Sequence, residues 1–348
     1  MVPFRVGIIG CGRPWRSEGA TGFGMSHFHA QGYQASPDAE IVALADISEE
    51  NARAFQEMHG GERIYTNYHE MLARENLDMV SICTWPSLHA PMVIAAAEAG
   101  VKAIHCEKPV APTFGEAKQM VETCQQRGTQ LTFNHQRRFG TPFRRAKELL
   151  ESGAIGDLRR LEATCPDLFD WGTHWFDMMF FYNNETPVEW VMGQVDVRNP
   201  RTVFGVQLEG QGLSFFRYQN GVDGLLMTGP RETWQAMNRL IGTDGTIELI
   251  LGENQGLRMW GKGQTEWQPV PDVAMDANEL VTVVPRGVLD AIDALKSGRE
   301  PELSGQRALR ATELIFATYE SSRRRGRVDL PLDITDSPLK EIQAAHQG

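Results

Sequence analysis

The chain has no apolar run approaching the ~20 residues a membrane span needs, no internal repeat and no low-complexity segment. It is also poor in cysteine. Cys11, Cys83, Cys106, Cys124 and Cys165 make an odd count, and no two of them form a CxxC pair, which speaks against a disulfide framework and against a zinc cluster. A reducing cytoplasm is the expected location. The opening MVPFRVGIIG has neither a basic n-region nor a small-residue cleavage site, so it reads as a first strand rather than a secretory signal. Positive charge is in deficit: 34 Lys and Arg against 45 Asp and Glu leave a net charge of -11. Nucleic-acid partners need clustered cations to neutralise phosphates, so none is expected. The basic run Arg323–Arg327 is short and closes a helical pattern, where cations complement exposed carbonyls.

What is present is an average globular composition, 41% hydrophobic and 23% charged, over 348 residues. That length favours two domains of roughly 100 to 200 residues each. Up to residue 133 short apolar runs alternate with helical patterns. Strands are expected near 4–10, 40–45, 79–83, 102–106 and 130–133, and helices near 26–36, 48–59, 88–99 and 113–127. Such alternation calls for a parallel sheet covered on both faces. After residue 155 the texture changes to LRRLEATC, VEWVMGQVDV, TVFGVQLEG, LSFFRYQN, GLLMTG and NRLIGTDGTIELIL, punctuated by glycine-containing turns. These runs predict an antiparallel sheet of hairpins. The tail, RGVLDAIDALKSG and GQRALRATELIFATYESSRRRG, returns to helical period, each part ending at a glycine suited to a C-cap. The division expected is 1–133 and 134–348.

The first strand runs into Gly10-Cys11-Gly12, the opening of a dinucleotide fingerprint, in which glycines allow a tight turn and close backbone approach to a pyrophosphate. The third glycine is displaced by RPWRSEGATGF, an enlargement of roughly eleven residues, and Ser26 becomes the small residue where helix meets strand. Asp46 closes the second strand, in IVALADIS, where a carboxylate accepts hydrogen bonds from an adenosine ribose. A helix N-cap is the plainer role for the same aspartate. A carboxylate there repels a 2′-phosphate, so NAD is favoured over NADP, although Arg13, Arg16 or Arg53 could compensate.

Two further strand ends carry polar loops: SICTWPSLHA and HCEKPVA, both at the carboxyl edge where open α/β sheets bind ligands. Together GIIGCG, VSICTWPSLHA, CEKPVA, FNHQRRF, DWGTHWFD and the tail LSGQRALRATELIFATYESSRRRGRVDLPL resemble, in that order, the Gfo/Idh/MocA oxidoreductases. The resemblance implies that Lys108 lies beside the nicotinamide and the reacting carbon, where an ammonium polarises a hydroxyl and supports the developing alkoxide. It implies a cis peptide before Pro109, and Glu107 as partner of Lys108 or of the cofactor ribose. Thr84, Trp85 and Pro86 form a wall of the cofactor site, with Pro86 starting a helix and His89 a helix-start residue near the cofactor.

DLFDWGTHWFDMMFF brings together Asp167, Asp170, His174 and Asp177. For a helix starting near Gly172, His174 and Asp177 share a face and Asp170 caps or precedes the first turn. On its own this fits a capping Asp with a buried His as well as it fits catalysis. The resemblance selects Asp170 and His174, which with Lys108 match the family's catalytic group. An imidazole titrates near neutrality and suits removal of a hydroxyl proton, with a carboxylate fixing its tautomer. A metal is disfavoured, since the lysine already polarises the substrate and no second His stands at ligand spacing. His135, Arg138 and Trp171 are expected to line a sugar site, the arginine having an ion pair as its structural alternative.

The expectation is thus an α/β protein: an N-terminal Rossmann domain followed by an α+β domain with an open, mainly antiparallel sheet. Its reaction would be NAD-linked hydride transfer at a secondary hydroxyl of a sugar, glycoside or cyclic polyol. A redox-cycling, NAD-dependent glycosidase using the same residues is the alternative, suggested by an insertion long enough to fold across a cofactor entrance. The resemblance also implies a homodimer or homotetramer; no membrane partner is expected from the absence of a long apolar run.

Overall fold

The structure is a computed structural model that describes residues 2–230, 237–250, 256–271, 273 and 279–347. In chain order the elements begin with β1 (Phe4–Ile9), α1 (Met25–Gln34), β2 (Ala39–Ala45), α2 (Glu49–His59), β3 (Arg63–Tyr65), α3 (Tyr68–Arg74), β4 (Met79–Ile82), α4 (Pro86–Glu98), β5 (Ala103–Cys106), α5 (Phe114–Arg127) and β6 (Gln130–Phe133). A 3₁₀ turn at Gln136–Phe139 leads into α6 (Thr141–Glu151), β7 (Leu158–Cys165), α7 (Gly172–Tyr182) and β8 (Val188–Asp196). Then come β9 (Arg201–Val203), β10 (Val206–Leu208), β11 (Gln211–Tyr218), β12 (Asp223–Thr228), β13 (Asn238–Gly242), β14 (Thr246–Ile250), β15 (Gly256–Trp260) and β16 (Gln268–Pro269). The last elements are α8 (Glu279–Ser297), α9 (Gly305–Arg324), β17 (Val328–Asp329) and α10 (Pro338–Gln347).

The chain divides into two compact units. The first comprises Met1–Pro112, Glu116–Gln136 and Asn278–Leu309, and the second Thr113–Gly115, Arg137–Ala277 and Arg310–Gly348. The first unit holds a six-stranded sheet in the order β3-β2-β1-β4-β5-β6, parallel throughout. This is the doubly wound order, with its switch point between β1 and β4. The strands are apolar runs buried along their length, as in β4 and β5, because helices cover both faces. Val6, Ile8, Leu44 and Phe55 form the core on one face; Ile9, Ile82, Ile104, Val121 and Phe133 form it on the other. Each such side chain contributes about 1.5–3 kcal/mol of burial.

The short β3 and α3 were not anticipated, for three residues, Arg63–Tyr65, are too few to show a period. The division at 133 also differs from the structure. Helix α8 belongs to the first unit, because Val288, Ala291 and Ile292 complete the core behind β1 and α1. Gly32 of α1 lies so close to Val288 that a methyl group there would stand 2.6 Å from its Cβ.

The second unit is built on a nine-stranded sheet, β16-β15-β14-β13-β7-β12-β11-β8-β17, in which only the β7–β12 pair is parallel. The open, mainly antiparallel sheet expected from the sequence is therefore present. TVFGVQLEG does not join it; β9 and β10 make a separate two-stranded hairpin. The edge of β8 is blunted by α9, whose Ser321 and Ser322 hydroxyls accept the Gly193 and Val195 amides at 2.8 and 3.1 Å. Helix α8 ends at Gly298 with φ +72°, as the C-cap reading expects, whereas after α9 the left-handed residue is Arg325 rather than Gly326.

Candidate functional site

In the first unit the backbone ladder runs one residue beyond the ends of β1, β4, β5 and β6. Gly10 donates to the Ala45 carbonyl, Cys83 to Ile9, Glu107 to Ile82 and Asn134 to Cys106, at 2.8–2.9 Å. Gly10, Asp46, Cys83, Glu107 and Asn134 therefore stand in one row along the carboxyl edge, where such sheets bind ligands. Gly10 has φ +85°, and a Cβ there would lie 2.8 Å from the Cys83 carbonyl oxygen and from Thr84 Cγ2. A glycine is thus required where the first loop passes the loop after β4.

Gly12 has open space where a side chain would project. Its amide donates to Asp46 Oδ2 at 2.9 Å, while Asp46 Oδ1 accepts from Ser48 N–H at 2.8 Å. The N-cap of α2 is Ser48, which accepts from Asn51 N–H. Capping is therefore not the duty of Asp46. Ser26 is buried in the first turn of α1 and its hydroxyl donates to the Cys11 carbonyl, the helix–strand junction expected of it. An unobstructed glycine backbone beside a carboxylate at the end of β2 fits a dinucleotide with a free ribose 2′-hydroxyl.

The enlarged loop closes on itself. Gly24, with φ +60°, caps α1, and a Cβ there would stand 2.5 Å from the Arg13 carbonyl oxygen. Between these ends Trp15 and Phe23 face each other at 5.8 Å, with the Arg16 guanidinium 4.1 Å from the Trp15 ring centroid. Arg13 reaches α2, bonding Asn51 Oδ1 at 2.7 Å and Glu50 Oε1 at 2.5 Å. Arg53 pairs with Glu49 within α2.

Glu107 and Lys108 occupy the turn after β5, and the Lys108–Pro109 peptide is cis. The Glu107 carboxylate is buried, and the charge of Lys108 acts on it. Its Oε1 accepts from His29 Nε2 at 2.8 Å and from Asn134 Nδ2 at 2.7 Å, and its Oε2 faces the Lys108 amide at 3.3 Å. Behind it His29 Nδ1 meets Ser81 Oγ at 2.9 Å, and Ser81 meets the Tyr33 hydroxyl at 3.0 Å. Burial pushes the Glu107 carboxyl up, but His29, Asn134 and the Lys108 charge outweigh it and hold the group below its ordinary range.

Trp85 is 47% exposed and precedes Pro86, the first residue of α4. Thr84 is half-buried with its hydroxyl 3.4 Å from Met92 Sδ. His89 is wholly buried and spans two loops: Nε2 lies 3.1 Å from the Thr84 carbonyl and Nδ1 3.0 Å from that of Pro109. It pins the loop after β4 to the loop after β5. Burial lowers its pKa, so it is a neutral fastener with no surface for a cofactor.

In the second unit β7 delivers the chain to Pro166–Trp171 and α7. Asp170 precedes the first turn of α7, whose N-cap is Trp171, as the sequence reading allowed. Asp167 organises this approach: its Oδ1 accepts the Asp170 and Trp171 amides at 2.6 and 3.2 Å and its carbonyl accepts that of Gly172 at 2.8 Å. Asp170 and His174 are both buried, 7% and 3% exposed. Asp177 follows His174 by three residues on α7, on the shared face expected, and both its oxygens lie 2.8 Å from Arg138 nitrogens.

Arg138 is correspondingly a correction: it is 0% exposed and holds Asp177 and also Glu185 at 2.6 Å. Burial opposes its charge, yet Asp177 and Glu185 push its pKa well up. It is a structural ion pair rather than a sugar ligand. Trp171 is half-buried with the Arg137 guanidinium 5.2 Å from its centroid, and Trp175 is buried with the same group at 4.7 Å. His135 is buried in the first unit, its amide donating to the Phe133 carbonyl.

Sequence reasoning missed His29, Ser81 and Asn134 as supports of the Lys108 turn, and Glu209 behind Asp167. One signal was available: Ser26, His29, Ala30 and Tyr33 fall at i, i+3, i+4 and i+7, so a polar stripe occupies the buried face of α1. Among the described residues no three His, Cys, Asp or Glu side chains converge to hold a metal ion, and no helix is long and apolar enough to cross a membrane.

Residues 4–135 match the Gfo/Idh/MocA family, described as an oxidoreductase family with an NAD-binding Rossmann fold. Over 94% of its length the chain is 28% identical to a D-apiose dehydrogenase of Paraburkholderia graminis, covering 90% of that protein. It is 25% identical to a myo-inositol 2-dehydrogenase of Thermotoga maritima, across 94% of this chain and 98% of the other. Among solved structures, a levoglucosan dehydrogenase in complex with NADH and levoglucosan superposes with TM-score 0.79 at 22% identity, covering 95% of this chain and all of the other. The last likeness establishes the fold.

Proposed function

We propose that the chain, whose residues 4–135 match the Gfo/Idh/MocA oxidoreductases, transfers a hydride between a secondary hydroxyl of a sugar, glycoside or cyclic polyol and NAD. The observation that carries this is the row at the sheet edge, where the glycine turn, Asp46 and the Glu107–Lys108 turn stand side by side. Gly10, Gly12 and Ser26 would seat the pyrophosphate and Asp46 the adenosine ribose, exchanging its bond to the Gly12 amide for ribose hydroxyls. Thr84, Trp85, Pro86 and the Lys108–Pro109 turn would flank the nicotinamide. When bound, NAD supplies the hydride acceptor.

Lys108 donates a hydrogen bond from Nζ to the reacting oxygen and favours its negative charge. An imidazole nitrogen of His174 accepts the hydroxyl proton, and Asp170 stabilises the imidazolium. In reduction the same nitrogen returns the proton. Trp171 and His135 are retained as sugar-lining residues; Arg138 is not.

The redox-cycling glycosidase is not favoured. The arginines that were to bind an anionic group are engaged within the unit, Arg13 by Glu50 and Asn51, with Arg16 laid on Trp15, and the curated relatives above are named dehydrogenases. Five free cysteines accord with a reducing cytoplasm. Met192, Leu213 and Trp260, exposed on the nine-stranded sheet, offer a surface for a homodimer or homotetramer.

The test is incubation with NAD and a panel of free sugars, polyols and glycosides, following reduced nicotinamide and sugar products together. Reduced cofactor accumulating with an oxidised sugar is the expected result. Aglycone release without net reduction would overturn it.

A further inference from the structure

Beneath the turn that carries Asp170 and His174 lie two carboxyl groups that the proposed chemistry does not use. Asp167 and Glu209 are both 0% exposed. Asp167 takes the Asp170 and Trp171 amides on one side-chain oxygen and the Gly172 amide on its carbonyl, so one residue organises the three amides that lead into α7. Glu209 Oε1 accepts the Leu168 amide at 2.6 Å, and Oε2 lies 2.8 Å from the Tyr319 hydroxyl. Also facing them are Cys165, whose thiol donates to the Asp167 carbonyl at 3.2 Å, and Asp170. Arg137 acts on Cys165 from the side, and the Arg201 guanidinium, 45% exposed, lies 3.4 Å from Asp167 Oδ2.

Ionising both acids would place two fully buried carboxylates side by side, with the half-exposed Arg201 guanidinium set against Asp167. A buried charge that is not fully compensated is costly. The hydrogen bonds say which group takes the proton. Asp167 Oδ1 receives two amide donors and is best served as a carboxylate. The Tyr319 hydroxyl can donate to an ionised Glu209 or accept from a protonated one, so Glu209 can carry a proton without losing a partner.

We infer that Asp167 and Glu209 form one buried acid pair holding a single proton near neutral pH, Glu209 keeping the proton and Asp167 the charge, and that the pair positions Asp170 and His174. The positioning part rests on the dehydrogenase reading of those two residues. The electrostatics agree with the geometry. Burial and then the Asp170 charge push Asp167 up to about 6, against the Asp170 and Trp171 amides and Arg201. Burial and then Asp167 push Glu209 up to about 7, against the Leu168 amide and the Tyr319 hydroxyl. Acids raised in the folded chain stabilise it fully below their unfolded values and lose that contribution as pH rises through the folded ones, here across about 4 to 7.

The experiment is thermal melting of the full chain from about pH 5 to about pH 8 for the wild type, Glu209→Gln and Asp167→Asn. The wild-type melting temperature should fall with pH more steeply than that of either variant. Parallel curves would mean that no proton is held and would overturn the pair. Kinetics then test the positioning: Asp167→Ala should lower kcat by about 100-fold with little change in KM, the cost of a displaced group. Asp167→Asn keeps an oxygen for the two amides and should recover most of that loss. An Asn variant that folds yet is as slow as Ala would sink the positioning role. The melts need no substrate, so failure to find one counts against the dehydrogenase reading alone, whereas parallel melts count against the pair alone.

Discussion

The two turns that present the proposed reacting groups are both anchored by buried carboxyls, and the anchors are opposite in charge preference. Under Lys108, Glu107 meets His29 and Asn134 and stays ionised below its ordinary range. Under Asp170 and His174, Asp167 and Glu209 are buried at least as deeply, yet both are pushed up toward neutrality. Depth of burial is common to the two sites. What differs is the supply of donors and cations: an imidazole, an amide and a nearby lysine on one side, the half-exposed Arg201 and a neighbouring aspartate on the other. Burial sets the penalty for charge, and the partners decide whether the group accepts it or takes a proton.

The sharpest break of this comparison is chemical. Replacing His174 by Asn or Lys108 by Met should each lower kcat by about 10²–10⁴-fold, as loss of a proton-transfer or oxyanion group does. NAD binding, followed by fluorescence titration, should survive both changes. A variant that loses NAD affinity but keeps kcat would show that its turn serves the cofactor and not the reaction.

Next in size is Arg138→Met. Where the second unit does supply a full cation, removing it strands Asp177 and should cost about 3–5 kcal/mol in denaturant unfolding, with KM for the sugar unaffected. A raised KM with unchanged stability would restore Arg138 as a substrate ligand. Glu107→Gln comes third. It leaves His29 and Asn134 facing a weaker acceptor and should cost about 1–3 kcal/mol.

The pH dependence of that variant sharpens the contrast. A carboxylate depressed in the folded chain contributes stability above its unfolded value near 4.5 and loses it as pH falls through the lower folded one. The gap between wild type and Glu107→Gln should therefore narrow in acid, while the gap for Glu209→Gln narrows toward neutrality. The smallest effect is at Asp46. Its replacement by Ala should weaken NAD by about tenfold, the loss of a charged hydrogen bond, and reduce the preference over NADP.

Much of this was legible in the order of residues. Gly10 with Gly12, Asp46 and the Glu107–Lys108–Pro109 turn lie in or directly after apolar runs, and a parallel sheet sends every such position to one edge. The helix start at Gly172 was equally plain from the residues around it. Less legible were the duties of carboxylates close together in sequence. Asp167, Asp170 and Asp177 are alike as a string, and only the packed turn gives the first to the backbone amides and the last to Arg138.

The sequence by itself determined the class of fold and the row of residues at the sheet edge, because strand period and glycine placement are local and survive in the linear order; the family of chemistry followed from a resemblance of motifs. The tertiary structure decided which acids stay charged. His29 reaches Glu107 across 78 residues and Tyr319 reaches Glu209 across 110, and protonation follows from those distant partners. No local pattern encodes them, since a buried charge is settled by whatever the fold brings within hydrogen-bonding distance of it.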